Sequence, residues 1–273
     1  MPELPEVETT VRALREPLVG RVITAVHTYW PGHIAKIDPA EFQTRIKGQE
    51  ITAVNRRGKY LLFPLSHDTM IIHLRMSGHL AVVEPALPLH KHDRTIFQLA
   101  DGQELRFRDQ RKFGKVYLVQ DPASVLGKLG PEPLTSAFTA DLLHTCLQNR
   151  HRALKPLLLD QTLIAGIGNI YADEALFNAK LHPMRLANTL TDTETQTLHT
   201  SIQKVLKLGI QREGASIDLY TKPDGTRGDM QNAVAVFRRT GEPCYDCGAL
   251  IERIKVGGRS THYCPRCQPL KNR

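Results

Sequence analysis

No stretch of this 273-residue chain approaches the ~20 consecutive apolar residues that a membrane-spanning helix needs. The N-terminal segment MPELPEVETTVRAL carries three glutamates, so it also lacks the basic start and apolar middle of a signal peptide. No internal repeat is visible. These absences exclude membrane-spanning and repeat architectures, and they predict a cytoplasmic globular protein whose length suits more than one domain.

Cysteine is scarce, with five residues in the whole chain. Four of them are spaced C-x2-C-x16-C-x2-C, at which two thiolate pairs on two turns close a tetrahedral zinc site. These four are Cys244, Cys247, Cys264 and Cys267. Disulfides are the alternative, but a reducing cytoplasm disfavours them. The spacing therefore predicts one structural Zn2+ per chain with no open coordination position, and we interpret Cys146 as a buried helix residue.

Acidic residues are outnumbered, because 36 Lys and Arg face 28 Asp and Glu for a net charge of +8 and a pI near 9.3. This balance favours a polyanionic partner such as nucleic acid, although a generically basic protein would show the same excess. Between the cysteine pairs, RIKVGGRSTHY predicts a two-stranded ribbon that carries Arg253, Lys255 and Arg259. Such a ribbon either reaches phosphates or is an ordinary solvated hairpin.

Short segments with alternating apolar residues dominate from Val22 to Gln120. They predict a mostly antiparallel β-sandwich with a hairpin turn at Asp101-Gly102. The segments are RVITAV, ITAV, KYLLF, MIIHL, TIFQL, ELRFR and KVYLV. A stretch rich in Gly and Pro at residues 127–136 then marks a linker.

Helical patterns follow the linker. The clearest helix opens with a capping box at Thr191 and Glu194 and stops near Gly214. Residues 215–232 contain turn formers and few apolar side chains, which predicts a mobile loop with a functional role. The chain is thus predicted to be an α+β multidomain protein with an N-terminal sandwich, a helical domain and a C-terminal zinc finger. The expected divisions are 1–130, 131–232 and 233–273.

The first residues pose a chemical question. From Pro5 onward the pattern predicts a helix that buries Val7, Val11, Leu14 and Leu18 along one face. Its glutamates complement the helix dipole, which is a sufficient reason for them in most sequences. If Met1 is removed, however, the chain begins with the secondary amine of Pro2. That amine is a nucleophile directly beside the acid Glu3.

Basic residues also stand beside turns elsewhere. The segment LKPLLLDQTLIAGIGNIYADEALF predicts two helices joined by a glycine turn, with Lys155 in the first helix and Asn169 as the cap of the second. A helix N-terminus of this kind suits a phosphate, although tight helix packing would explain the glycines equally well.

In the β region, NRRGKYLL contains Lys59, HLRMSGH contains His73 and Met76, and DQRKFGK contains Arg111 and Phe113. Met, Arg and Phe beside a basic surface are side chains that can open a duplex and fill the space of an extruded base. Taken singly, Met76 and Phe113 would be ordinary core residues.

With these motifs in order, the sequence resembles bacterial formamidopyrimidine-DNA glycosylase from end to end. The shared motifs are PELPEVET, NRRGKY, HLRMSG, DQRKFG, AGIGNIYADEALF and GGRSTHYCPRCQ. The resemblance implies a β-sandwich, a helix-two-turns-helix domain, a zinc finger, and a DNA cleft between the two halves. It also implies glycosylase and abasic-site lyase activity on oxidised purines in double-stranded DNA, by a monomer used at the bacterial nucleoid.

The resemblance also implies catalytic roles. Pro2 is expected to attack C1′ of the damaged nucleotide, and Glu3 is expected to assist the opening of the sugar ring. Lys59 is associated with β-elimination and Arg259 with δ-elimination. Glu6 is expected to hold a carboxylate near the sugar.

Further residues are carried over as DNA contacts, void fillers and supports. The expected DNA contacts are His73, His92, Arg111, Arg150, Lys155 and Asn169. The expected void fillers are Met76, Arg111 and Phe113, and Glu174 is expected to support the helical turn. The void-filling residues and PELPEVET disfavour the related endonuclease VIII type, which acts on oxidised pyrimidines. A non-catalytic DNA-binding protein is the other alternative, but it would have no use for a processed proline followed by glutamate.

Two segments depart from the family pattern, one before the zinc finger and one in the lesion-covering loop. The chain has FRR at 237–239 where the family usually reads YGR, and its lesion-covering loop ends in GDMQ at 228–231 instead of an aromatic pair after the glycine. Neither departure touches a catalytic position. Both leave the preference among damaged purines open.

Overall fold

The computed structural model describes residues 1–270 and divides into two compact units. The first unit contains Met1–Lys128 and Arg212–Asp229, and the second contains Leu129–Gln211 and the chain from Met230 onward. The predicted loop thus belongs largely to the first unit, although the division by sequence grouped it with the helical domain. Among the described residues, no helix is long and apolar enough to cross a membrane.

The first unit begins with α1, Leu4–Leu18. Val7, Val11, Leu14 and Leu18 are all buried, which confirms the predicted apolar face. A short second helix, α2, spans Pro39–Ile46, and the side chain of Asp38 accepts hydrogen bonds at its N-terminus. The apolar sides of both helices join the core of the β-sandwich.

Two four-stranded antiparallel sheets form the sandwich, with strand orders β1-β6-β7-β5 and β2-β3-β4-β8. The strands are β1 Ile23–Thr28, β2 Asn55–Arg57, β3 Tyr60–Pro64, β4 Thr69–His73, β5 Gly78–Val83, β6 Asp93–Leu99, β7 Glu104–Asp109 and β8 Lys115–Val119. The turn at Asp101-Gly102 joins β6 to β7 as predicted, and Gly102 has a φ of 89°.

One predicted strand is wrong. The segment ITAV at 51–54 forms only an isolated bridge from Ile51 to Leu65. Ile51 and Val54 are nevertheless buried in the sandwich core. The apolar alternation therefore predicts burial correctly, but the backbone pairs only at Ile51, with Gly20 and Arg21, and at Thr52, with Pro64, so no ladder forms along the segment.

The second unit is helical before its C-terminal ribbon. Its elements are α4 Ala140–Leu147, α5 Leu154–Leu158, α6 Asn169–Asn178 and α7 Asp192–Gln211, followed by strands β9 Glu252–Val256 and β10 Arg259–Tyr263; α3, Ala123–Leu126, precedes them in the first unit. The capping box of α7 is confirmed, because the Thr191 N–H donates to Glu194 and the Glu194 N–H donates to the Thr191 hydroxyl. β9 and β10 pair through a Gly257-Gly258 turn, as the ribbon prediction required.

Candidate functional site

The N-terminal residues are buried at the start of α1. Pro2 is buried, and Glu3 is only 3% exposed. The side chains of Glu3 and Glu6 form a capping box, in which the Glu3 N–H donates to Glu6 Oε2 at 2.8 Å. The helix start thus holds the Pro2-Glu3 peptide in one place against the first unit.

Glu6 also anchors a distant segment of the same unit. Its second oxygen, Oε1, accepts the Ala215 N–H at 2.8 Å, and the Tyr220 hydroxyl donates to its carbonyl oxygen at 3.3 Å. Gly214 has a φ of 82°, and a Cβ there would lie 2.8 Å from Glu6 Cγ. Close approach and a left-handed backbone therefore both require glycine at this point. Through Glu6, the start of α1 and the loop after α7 share one buried carboxylate.

Lys59 lies in the two-residue turn between β2 and β3, after Gly58 with its φ of 56°. It is 5% exposed. The hairpin is tied to α1 because Arg56 Nε donates to Glu8 Oε2 at 3.0 Å. Burial raises the pKa of Glu8, but hydrogen bonds from Arg56 and Arg12 outweigh that effect and lower it. The turn that carries Lys59 and the helix that Glu3 caps are therefore joined by an ion pair.

His73 ends β4 and pairs in register with Tyr60, the residue after Lys59. Burial, followed by the charges of Arg75 and Lys59, lowers the pKa of His73 to about 3, so the ring is neutral at physiological pH. Its Nδ1 accepts the Arg75 N–H at 3.0 Å. The ring proton is therefore on Nε2, which leaves a neutral donor and not a cation.

The three expected void fillers are exposed, which the residue types of Met76 and Phe113 alone would not predict. Met76 is 41% and Phe113 49% exposed, and the Arg111 guanidinium lies 5.0 Å from the centre of the Phe113 ring. They occupy two loops, the first between β4 and β5 and the second between β7 and β8. Large apolar side chains that stay in solvent at loop tips are available to a partner.

The carboxylate of Asp109, at the end of β7, connects these two loops. It accepts from the Ser77 hydroxyl at 2.5 Å, from the Arg111 N–H at 3.2 Å and from the Gly114 N–H at 2.7 Å. Burial raises the pKa of Asp109, but hydrogen bonds from His33, Ser77 and Gly114 prevail and lower it to about 2. Asp109 therefore remains ionised at neutral pH.

In the second unit, Lys155 is fully buried and not available at a surface. Its Nζ lies 2.6 Å from Asp173 Oδ1 and donates to the Ser260 carbonyl at 2.9 Å. This differs from the expectation that Lys155 adds positive charge for DNA. A buried ammonium needs a partner of opposite charge, and the carboxylate of Asp173 balances the charge of Lys155 inside the protein. A direct phosphate contact would first require the ion pair to open.

Asn169 does not cap α6, which corrects the sequence interpretation. Gly168 is the N-cap, and Asn169 is the first helical residue. Its Nδ2 donates to the Ser260 carbonyl at 3.0 Å, the same oxygen that Lys155 binds. These contacts fix the ribbon backbone next to Arg259, whose own side chain is exposed. The second unit thus brings together three predicted DNA residues around Ser260.

Glu174 binds a different segment from the one expected. Its carboxylate does not hold the helical turn but accepts the backbone N–H groups of 235, 236 and 237 at 2.7–3.0 Å. Burial raises the pKa of Glu174, and the three N–H donors oppose that shift. The residue therefore anchors the segment that leads to the cysteine cluster.

The four cysteine sulfurs lie within 4.8 Å of one another. A tetrahedral zinc with Zn–S bonds of about 2.3 Å places its sulfurs about 3.8 Å apart. The Cys244–Cys267 and Cys247–Cys264 sulfur distances are 3.9 and 3.4 Å. The sulfur positions therefore fit one Zn2+ in a closed, structural site.

The remaining predicted positions are at or near the surface. Arg150 is exposed after α4, and His92 is partly exposed, with Arg94 Nη2 3.1 Å from its Nδ1. Cys146 was expected to be buried but is only half-buried on α4. Burial raises the pKa of its thiol.

Sequence reasoning missed two organising carboxylates, Asp109 and Asp173. Asp109 stands inside the DQRKFG motif and Asp173 inside GNIYADEALF, beside basic and apolar residues that carry more conspicuous patterns. A usable signal was present at Asp109, because an acidic residue ending an apolar strand just before a basic turn often accepts backbone N–H groups.

Three family comparisons cover most of the chain. Residues 1–116 match the formamidopyrimidine-DNA glycosylase N-terminal domain, and residues 129–221 match the H2TH domain of the same enzymes. Residues 241–270 match a zinc finger found in FPG and IleRS. The matched ranges include the β-sandwich, the helices of the second unit and the cysteine cluster.

Individual proteins are similar over nearly the whole length. Formamidopyrimidine-DNA glycosylase of Symbiobacterium thermophilum is 47% identical, over 99% of this chain and 90% of that protein. A Lactococcus lactis FPG mutant in complex with Fapy-dG-containing DNA is 39% identical, with a TM-score of 0.92 over 98% of this chain and 100% of that one. MutM in complex with carbocyclic 8-oxo-G-containing DNA is 40% identical, with a TM-score of 0.90 and the same coverage. The chain belongs to the formamidopyrimidine-DNA glycosylase family.

Proposed function

We propose that this protein removes oxidised purines, 8-oxoguanine and formamidopyrimidines, from double-stranded DNA and then nicks the resulting abasic site. The observation that carries the proposal is the buried Pro2-Glu3 peptide at the start of α1, supported by Glu6. Similar proteins solved with Fapy-dG and 8-oxo-G DNA support the substrate class. The void-filling residues and the N-terminal motif do not favour the endonuclease VIII alternative.

The proposed chemistry begins once Met1 has been removed. The Pro2 nitrogen forms a bond to C1′ while the glycosidic bond breaks, and the base leaves with the proton that the Pro2 nitrogen loses. Glu3 then gives a proton to the ring oxygen as the sugar opens, which leaves an iminium. Because this iminium is cationic without protonation, it acidifies the C2′ proton and permits elimination of the 3′ phosphate.

Two basic residues complete the proposed elimination. Lys59, held in its turn by the ion pair between Arg56 and Glu8, transfers protons in β-elimination. Arg259, exposed on the ribbon, assists δ-elimination at the other phosphate. A neutral His73 donates Nε2–H to a phosphate, while His92, Arg111, Arg150 and Asn169 supply further DNA contacts. Lys155 is proposed to act mainly by positioning Ser260 beside Arg259.

The zinc site has no chemical role in this proposal. Four thiolate ligands leave no open coordination position, so the metal supplies rigidity to the ribbon. The protein is proposed to act as a monomer in the cytoplasm, at the nucleoid.

The test uses an 8-oxoguanine duplex, with base release and strand nicks scored separately. We expect both products, and borohydride added during turnover should leave DNA covalently bound to the N-terminal peptide. Protein that retains Met1 should bind damaged duplex without forming this adduct. Glu3→Gln should lose base excision yet keep much of the nicking at preformed abasic sites. Trapping at Lys59 would overturn the assignment of Pro2.

A further inference from the structure

We infer that Asp109 is a positioning residue that makes the Met76 loop and the Arg111-Phe113 loop a single rigid wedge for opening the duplex. This inference rests on the proposed function. Asp109 is the first residue of the DQRKFG motif, but the proposed function gives it no role, and its side chain is fully buried.

The geometry shows one carboxylate shared by two loops. Asp109 pairs with Gly78 in the β7–β5 register, so it stands where both loops leave the sheet. Oδ1 accepts from the Ser77 hydroxyl, which lies beside Met76, and from the Arg111 N–H. Ser77 Oγ accepts that same N–H at 3.0 Å, while Oδ2 accepts from Gly114. The loops are therefore cross-linked by hydrogen bonds at their bases.

A packed platform supports the carboxylate from below. The His33 ring is fully buried, stacks on Phe107 at 4.5 Å, and places Nε2 3.4 Å from Asp109 Oδ2. A Cβ added at Gly114 would lie 2.4 Å from the Phe107 ring, so the loop backbone lies directly on this ring. The His33 and Phe107 rings thus fix the position of the Asp109 carboxylate at the base of both loops.

The loops themselves need such restraint. Arg75 has a φ of 54° and Lys112 a φ of 61°, and both are non-glycine residues in the left-handed region. Conformations of this kind persist where surrounding contacts over-determine them. Without Asp109, each loop would relax independently, and Met76 and Arg111 would no longer enter the duplex together.

The test compares Asp109→Asn with wild-type protein. An asparagine oxygen in place of Oδ1 can still accept from Ser77 and Arg111, but the NH2 group in place of Oδ2 cannot accept the Gly114 N–H, so the anchor at the base of the Arg111-Phe113 loop is lost. Single-turnover excision of 8-oxoguanine from duplex should fall by about tenfold or more, while nicking at a preformed abasic site stays within about twofold. A 2-aminopurine beside the lesion should show slower unstacking. Asp101→Asn, at the other end of the β6–β7 hairpin, is the matched control.

A double-mutant cycle distinguishes positioning from general structural support. In an Arg111→Ala background, Asp109→Asn should add little further loss, because its effect passes through the same wedge. If Asp109→Asn does not fold, Ser77→Ala should show the same selective pattern more weakly. Equal losses on both substrates, additive losses in the cycle, or no loss would each overturn the inference. A wild-type protein that excises no oxidised purine would instead overturn the proposed function.

Discussion

Buried carboxylates organise backbone N–H groups in both units, but their surroundings differ. In the first unit, Glu6 and Asp109 lie beside a sandwich core of 24 buried apolar residues among those described. In the second, Glu174 anchors a segment whose local core consists of Phe177, Val236, Cys244, Ile251 and Cys264. A core of that size buries too little apolar surface to hold a ribbon by itself.

The two units therefore position their functional residues by different means. The first unit does so by apolar packing, with carboxylates adding direction at the loop ends. The C-terminal part of the second unit depends on metal ligation and on the hydrogen bonds of Glu174 and Lys155. Variants should therefore fail in different ways in the two regions.

The largest effect is expected at the cysteine cluster. Cys247→Ser should lose zinc and DNA binding together, because apparent binding free energies of structural zinc reach roughly 10–16 kcal/mol in small domains. Zinc content and duplex affinity measure both losses, and Cys146→Ser, outside the cluster, is the control. Full DNA binding by zinc-free protein would contradict this expectation, since it would show that the small core holds the ribbon without the metal.

A smaller effect is expected at Glu6, where packing remains intact. Glu6→Gln keeps the size of the side chain but replaces one carboxylate oxygen by an NH2 group. The two oxygens of Glu6 accept the Glu3 N–H and the Ala215 N–H separately, so the glutamine loses one of these hydrogen bonds. The free energy of unfolding of the first unit should fall by about 2 kcal/mol, with a larger relative loss of base excision. Chemical denaturation and single-turnover assays test this, with the exposed Glu16→Gln on the same helix as control. Unchanged excision would show that the loop does not depend on this carboxylate.

The contribution of Asp109 should depend on pH. Its folded pKa of about 2 lies below the ordinary 3.8, so its stabilisation is fully present above about pH 4 and is lost as the pH falls towards 2. The shift corresponds to about 2 kcal/mol. The stability difference between wild type and Asp109→Asn, measured by denaturation at several pH values, should shrink over that window. A difference that is constant down to pH 2 would contradict the ionised state.

The smallest effect is expected at Arg238, one of the departures from the family pattern. Its φ of 62° is a left-handed conformation that costs an ordinary residue about 1 kcal/mol. Arg238→Gly should therefore raise the free energy of unfolding of the second unit slightly. The gain should be less than about 1 kcal/mol, because glycine also gives the unfolded chain greater conformational freedom. A calorimetric scan checks the sign. A destabilised variant would mean that the arginine side chain stabilises this segment by more than its strain.

Features with a local cause were predictable. The apolar stripe of α1, the Asp101-Gly102 hairpin, the Thr191 capping box and the cysteine spacing each depend on residues close in sequence. Two local predictions are wrong. The pattern of ITAV at 51–54 predicts a strand but does not identify a partner strand, and Asn169 is predicted to cap α6 although Gly168 holds that position.

Most of the elements, the zinc ligands and the family could be predicted from the sequence, because each follows from spacing along the chain or from motifs in order. Only the tertiary structure decided which groups meet over long separations: Glu6 with Ala215, Lys155 with Asp173 and Ser260, and Asp109 with Ser77 and His33. The physical reason is that a buried charge must find its partners wherever folding brings them, and no local pattern records that choice.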